Sequence, residues 1–474
     1  MIHDTYPAVS PLREPVESRF RILGIAATVA LGGFLVGFDA TVISGAVPFL
    51  RDYFGLGGVD GSLKLGLAVS CLGWGAMLGN LAAGPLSDRF GRRTVLLFTA
   101  LLFFASSLIA AGSANFPLFV AARIVGGFGV GAAILIAPVY IAEIAPARRR
   151  GSLVSMNQLM IVIGISASLF SNYVLLSLTG GNWRWMLGVQ AVPAALYFLL
   201  LMLVPESPRW LLGKGQQQRA LKILRSVQGE TESQRELAQI QASLQEKKRK
   251  VRLSELFGTR LRRVLLFGLG IAFFQQATGI NAVFYYLPSI FAQAGGSLST
   301  SFGQSTLVGV VNVGMTFVAI WLIDRAGRKP LLTFGVTGMS VSLLCIAWAF
   351  HGAGDPAGAV SHPVVVLLAI MGFVASFAVS LGPVMWVLLS EIFPNEERGA
   401  AISVVGFWNS LISATVTLVF PMEIAGWGPS FTFLFYGLIA VAGLVFILLL
   451  APETKGKTLE ELERMLTRSS RTET

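Results

Sequence analysis

Asp39 is the single acid in the apolar run 22–50, and Arg123 is the single base in the apolar run 117–141. A charge at membrane depth costs several kcal/mol unless it is paired or hydrated, so each of these residues marks a functional candidate. The run around Asp39 continues to Leu50, which carries the carboxylate well inside a bilayer. The run holding Arg123 begins at Pro117 on the same side, which sets the guanidinium at a similar depth. A carboxylate that binds a proton when its guanidinium partner moves away is the physical requirement for proton coupling.

A second constellation is uncharged. Gln275-Gln276-Ala277-Thr278-Gly279-Ile280-Asn281, followed by Tyr285-Tyr286, is the most polar stretch in any apolar run. On an ideal helix Asn281 lies about 120° from Gln275, so the two amides share a face only if the helix breaks, as it can at Gly279. A second break is expected at Gly382-Pro383, just before Trp386. Amides both donate and accept hydrogen bonds, and an aromatic face covers C–H groups. Together they suit a neutral polyhydroxylated ligand.

The elements that must hold these groups follow from composition. Of the 474 residues 54% are hydrophobic and only 13% charged, with a mean hydropathy of +0.70, which is the balance of an integral membrane protein. Runs near 22–50, 62–84, 94–113, 117–141, 152–176, 185–204, 262–292, 303–323, 330–350, 363–390, 400–424 and 430–451 are each about long enough to span. Twelve spans are expected, the first of them retained because its run is too long for a signal-peptide core. Cys71 and Cys345 lie in different halves and imply no disulfide framework.

The charge of +11 is placed rather than spread. Segment 206–263 holds fourteen Lys and Arg, whereas the loops on the other side hold Arg51, Lys64 and Arg184 alone. The positive-inside rule then puts both termini and the central linker in the cytoplasm and leaves little for nucleic-acid binding to explain. The linker is too polar to span, and Ala220-Leu221-Ile223-Leu224 and Leu237-Ile240-Leu244 predict short amphipathic helices.

Three charged motifs occur twice. Asp88-Arg89-Phe90-Gly91-Arg92-Arg93 returns as Asp324-Arg325-Ala326-Gly327-Arg328-Lys329, Glu143 to Arg150-Gly151 as Glu391 to Arg398-Gly399, and Pro205-Glu206-Ser207 as Pro452-Glu453-Thr454. Offsets of 236, 248 and 247 residues, read from Asp88, Glu143 and Glu206 to their copies, imply two copies of one unit. The candidate cytoplasmic gate is Asp88, Arg89, Arg92, Arg93, Glu143 and Arg150 with Asp324, Arg325, Arg328, Glu391 and Arg398. Its ion pairs would close that side and break when it opens.

These motifs, with Arg123 in Arg-Ile-Val-Gly-Gly and Pro205-Glu206-Ser207-Pro208-Arg209-Trp210-Leu211, resemble the sugar porter family of the major facilitator superfamily over about residues 20–466. The resemblance implies an all-α membrane fold of twelve helices in two pseudo-symmetric six-helix bundles. Its divisions would be an N-terminal tail 1–20, a first bundle 21–205, a linker 206–260, a second bundle 261–452 and a tail 453–474. It also implies sugar contacts at Gln158, Gln275, Gln276, Asn281, Asn312, Trp386 and Asn409. Asp39 stands where proton-coupled members keep an acid and facilitative glucose carriers have a neutral residue, so symport is favoured, with a uniporter as the alternative. Val36, Ile165 and Ser410 depart from residues found in several members, which leaves the size of the sugar open.

The expected function is alternating-access transport of a monosaccharide with a proton, in a plasma membrane or the inner membrane of a bacterium, by a monomer whose other partner is the lipid bilayer. No cofactor is implied. A sugar sensor would carry longer cytoplasmic extensions than the tails of about 20 residues here. His3, His351 and His362 lie outside the spans, and no metal-ligand or nucleophile–base arrangement suggests an enzyme.

Overall fold

The structure, a computed structural model, describes residues 16–146, 149–179, 182–228, 230–245, 261–351, 362–394 and 397–455, together with Leu256, Gly258 and Glu461. The expected tails therefore lie largely outside the described residues, as does most of 246–260.

In the first half α1 (Val16–Tyr53), α2 (Gly58–Phe90), α3 (Arg92–Gly112), α4 (Phe116–Ile144) and α5 (Arg150–Thr179) each make one crossing. The sixth combines α6 (Trp183–Gly188) and α7 (Ala191–Leu203). After the linker helices α8 (Pro208–Gly213), α9 (Gln217–Gln228) and α10 (Glu230–Gln245), the second half repeats the plan. Its seventh crossing is α11 (Arg262–Ala277) with α12 (Ile280–Gln293), and its eighth and ninth are α13 (Leu298–Ala326) and α14 (Arg328–Ala349). The tenth is α15 (Pro363–Val379) with α16 (Leu381–Ile392). The final helix α17 (Arg398–Leu450) runs 53 residues, which at 1.5 Å per residue is about 80 Å and more than twice a hydrocarbon core. Gly428, at φ 77° and ψ 163°, breaks it into the expected eleventh and twelfth crossings.

Small residues decide how closely the crossings approach. A Cβ on Gly37 would sit 1.9 Å from the Ile161 carbonyl oxygen, and one on Gly164 would sit 2.0 Å from that of Phe34, so α1 and α5 meet backbone to backbone. The pair Gly75 and Gly127 does the same for α2 and α4, at 2.1 Å from the carbonyls of Ile124 and Leu72. This rigid packing holds Asp39 and Arg123 in register.

The seventh crossing breaks where expected, at Gly279 with φ 81°. The tenth breaks at Ser380, two residues before the expected Gly382-Pro383. A proline lacks the N–H that a first helical turn leaves unpaired, so Pro383 fits inside the opening turn of α16 and the break falls ahead of it. In the linker Ala220 and Leu224 pack with Leu211 and Leu237, as the pattern predicts, while Leu244 stays exposed.

Candidate functional site

Between the halves lies a cavity of about 270 Å³, close to the lower end of the roughly 300–1,000 Å³ typical of small-molecule sites. On the side away from the linker it is closed where the halves touch. A Cβ on Gly66 would lie 1.9 Å from the Leu418 carbonyl oxygen and one on Gly73 would lie 3.1 Å from Ala414. Ser166 donates to the Gly309 carbonyl at 2.7 Å and Thr306 to that of Leu169 at 3.4 Å. From this end the lining extends toward the linker side, to Asn80, Ile134 and Trp386.

The break at Gly279 does for the amides what an ideal helix could not. Asn281 Nδ2 donates to Gln276 Oε1 at 2.9 Å and to Ser413 Oγ at 2.7 Å. Gln276 Nε2 donates to Gln275 Oε1 and to Asn409 Oδ1, both at 3.2 Å. Asn409 Nδ2 donates to Gln275 Oε1 at 2.7 Å and to the Ala272 carbonyl at 3.2 Å. Gln275 Nε2 reaches the Leu381 carbonyl at 2.8 Å, at the start of α16, so the two broken crossings are tied together. Each side chain is thereby fixed in orientation before any ligand binds.

Of the seven expected sugar contacts, six line this cavity: Gln158, Gln275, Gln276, Asn281, Trp386 and Asn409. Asn312 does not. It is buried in α13, outside the lining, and its carbonyl accepts from Thr316 at 2.8 Å. Val36, Ile165 and Ser410 all form wall. Lining residues that sequence reasoning missed include Thr41, Ser70, Asn80, Ser413 and Thr417. A signal existed for two of these, because Asn409, Ser413 and Thr417 fall at i, i+4 and i+8, one polar stripe on an otherwise apolar helix.

Asp39 and Arg123 form a salt bridge and are 1% and 2% exposed. Arg123 also donates to the Asp39 backbone carbonyl, at 3.3 Å from Nη1 and 3.2 Å from Nη2. Gly126, one turn beyond Arg123, permits the approach, since a Cβ there would lie 3.1 Å from Asp39 Oδ2 and 2.3 Å from Ser106 Oγ. Asp39 Oδ2 and Arg123 Nε have no hydrogen-bond partner. The carboxylate is thus under-coordinated, and it sits behind the cavity wall that its neighbours Gly37, Ala40 and Thr41 form.

On the linker side the repeats become two matching networks. Arg92 lies 3.1 Å from both Glu143 and Asp88, and Glu143 also accepts from Ser207. Arg328 lies 2.8 Å from Glu391, which accepts from Thr454. Each network stays within its own half, so in this conformation these pairs fasten the ends of each bundle and do not join the halves. Arg89 stacks over Phe90, Arg93 donates to the Leu201 carbonyl at 3.0 Å, and Arg325 covers Trp321. Arg150 reaches Glu236 of α10 at 3.5 Å, and Arg398 donates to the Phe393 carbonyl at 3.3 Å. The Asp324 side chain lies outside the described residues.

Two acids absent from the expected gate complete the pattern. Glu206 accepts the backbone N–H groups of Arg92 and Arg93 at 2.9 and 3.1 Å, capping α3. Glu453 accepts those of Arg328 and Lys329 at 3.2 and 3.1 Å, capping α14. Carboxylates are favoured there by the unpaired N–H groups and the helix dipole. Gly91 and Gly327, at φ 97° and 92°, make the turns. The repeat itself was the signal that could have found both acids.

Comparison with known proteins agrees with this architecture. The family model described as "Sugar (and other) transporter" matches residues 25–466. The chain is 38% identical to the arabinose-proton symporter of Bacillus subtilis, with 94% of this chain and 95% of that one covered, and 37% identical to the D-xylose-proton symporter of Escherichia coli over the same shares. It is 38% identical to a glucose transport protein of Synechocystis, covering 96% and 100%. The inward-open structure of the E. coli xylose transporter XylE superposes with a TM-score of 0.82 at 37% identity, covering 94% of this chain and 99% of that one. The same transporter bound to 6-bromo-6-deoxy-D-glucose gives 0.77 at 36% identity, covering 95% and 100%. With the fold, the repeated motifs and these matches in agreement, the chain belongs to the sugar transporter family of the major facilitator superfamily.

Proposed function

We propose that this protein carries a monosaccharide across a bacterial inner membrane together with a proton, with the linker and termini in the cytoplasm. The observation that carries the reading is the interlocked amide set facing a cavity between the halves, with a buried carboxylate–guanidinium pair directly behind one wall. Gln275, Gln276, Asn281 and Asn409 offer paired donor and acceptor positions to sugar hydroxyls, Gln158 faces them from the first half, and Trp386 supplies an apolar platform. Alternating access rocks one half against the other about this site.

Asp39 takes a proton in the outward-facing state, which removes the charge that holds Arg123. Sugar binding then favours closure, and release of both ligands on the linker side restores the pair. The gate networks on that side stiffen the ends of the two bundles, so each half moves as one body. The symport named for the arabinose and xylose relatives is consistent with this cycle.

The test is uptake of a labelled pentose and hexose panel into proteoliposomes, with and without an inward proton gradient, for wild type and Asp39→Asn. Gradient-driven accumulation is expected in the wild type and lost in Asp39→Asn, with sugar exchange retained. Accumulation that survives in Asp39→Asn would refute the coupling role, and uptake indifferent to the gradient would make the protein a uniporter.

A further inference from the structure

Helical Ser and Thr hydroxyls usually satisfy themselves by donating to a carbonyl three or four residues back. This chain follows the habit at Thr99, Ser168, Thr316 and Ser340, with distances of 2.7–2.8 Å. Among the described residues only three buried Ser or Thr hydroxyls have no partner at all: Thr41, Ser70 and Thr417. They are 1%, 2% and 1% exposed, they come from α1, α2 and α17, and all three line the one cavity between the halves.

Their place in the cavity is also shared. Gly66 abuts Leu418 and Gly73 abuts Ala414, which brackets Ser70 opposite the turn that carries Thr417. Thr417 lies two turns along α17 from Asn409, beyond Ser413, the residue that accepts from Asn281. The hydroxyls therefore sit past the amide cluster, at the end closed by contact between the halves. A buried hydroxyl without a partner forfeits about 1–3 kcal/mol, so three in one place call for something that bonds to them.

We infer that the closed end of the cavity, formed by Thr41, Ser70 and Thr417, is a subsite for the hydroxymethyl arm of a hexose, making the substrate a hexose in preference to a pentose. The inference rests on the sugar-transport reading above. A hexopyranose such as D-glucose differs from the matching pentopyranose, D-xylose, by one hydroxymethyl group. With its ring hydroxyls on the amides, a hexose can extend that single extra hydroxyl into the closed end, where it can donate to one of these oxygens and accept from another. A pentose leaves all three unpaired.

Initial rates of D-glucose, D-xylose and 6-deoxy-D-glucose transport in proteoliposomes test this, for wild type and for Thr41→Val, Ser70→Ala and Thr417→Val singly. The 6-deoxy sugar keeps the shape and lacks the hydroxyl. The wild type is expected to favour D-glucose over both others by about tenfold in kcat/KM, the scale of one buried hydrogen bond. Each variant is expected to lower the ratio of D-glucose to 6-deoxy-D-glucose by about 3–10-fold, and three separate positions keep the test intact should one variant not fold. A wild type that favours D-xylose, or variants that leave the ratio unchanged because the oxygens bind ordered water, would overturn the subsite. Absence of uptake of every sugar by the wild type would instead overturn the transport reading, and the subsite with it.

Discussion

The two walls of the cavity are made of similar residues and are bonded in opposite ways. On the wall from the second half Gln275, Gln276, Asn281 and Asn409 hydrogen-bond to one another, and Thr417 alone is left out. On the wall from the first half Thr41 Oγ1, Ser70 Oγ and Asn80 Oδ1 are buried without partners, and Gln158 projects into the space between. The difference comes from helix geometry. The second half has two broken crossings whose loosened turns bring side chains into contact, whereas the first half offers unbroken α1, α2, α4 and α5, locked backbone to backbone by glycine. One wall is therefore pre-organised to grip, and the other can gain bonds only from what enters. A ligand held by the second half draws the first half onto it, which is the differential contact that alternating access requires.

The sharpest attempt to break this comparison is on the bonded wall. Gln276→Leu or Asn409→Leu strips a bond from the sugar and leaves its neighbours unpaired, so kcat/KM is expected to fall by about 10–100-fold in transport assays. The double variant is expected to lose less than the product of the two, because both belong to one network. Strictly multiplicative losses would show that the amides act separately. On the open wall Gln158→Leu removes only a bond to the ligand. A drop of about 3–10-fold is expected, with thermal unfolding in detergent unchanged without sugar. A large loss of stability would mean that Gln158 is held in the structure as its counterparts are.

The smallest effect lies at the linker ends, where the halves are alike. Burial pushes the Glu453 carboxyl up, but the backbone N–H groups of Lys455, Arg328, Lys329 and Thr454 outweigh it, and the net shift is downward from 4.5. A depressed carboxyl contributes stability that is complete above its unfolded value and is lost as the pH falls through its folded value. Glu453→Gln should therefore lower the unfolding temperature slightly at neutral pH. The gap from wild type should close as the pH drops below about 4.5. A gap that persists at low pH would assign the effect to packing rather than charge.

Much of this was legible in the residues. The twelve crossings follow from run length and hydropathy, and the two halves from the near-constant offsets of three charged motifs. Asp39 and Arg123 stood out because a bilayer tolerates few charges, and their pairing followed from depth. The hinge at Gly279 was readable because only glycine takes a positive φ cheaply. The break at Ser380 was not, because the proline that signals it sits just inside the next helix.

What the sequence by itself determined is the membrane fold, its internal repeat and the types of chemistry available, since solvent and covalent geometry constrain these locally. What only the tertiary structure decided is which polar side chains face one another. Asn312 was expected in the site and lies outside it, while Thr41 and Ser70 were read as ordinary helix residues and line it. Each outcome turns on the rotation of a helix about its own axis and on which neighbour a glycine lets close. Those are set by contacts between residues as far apart as Ser70 and Thr417, and no local pattern records them.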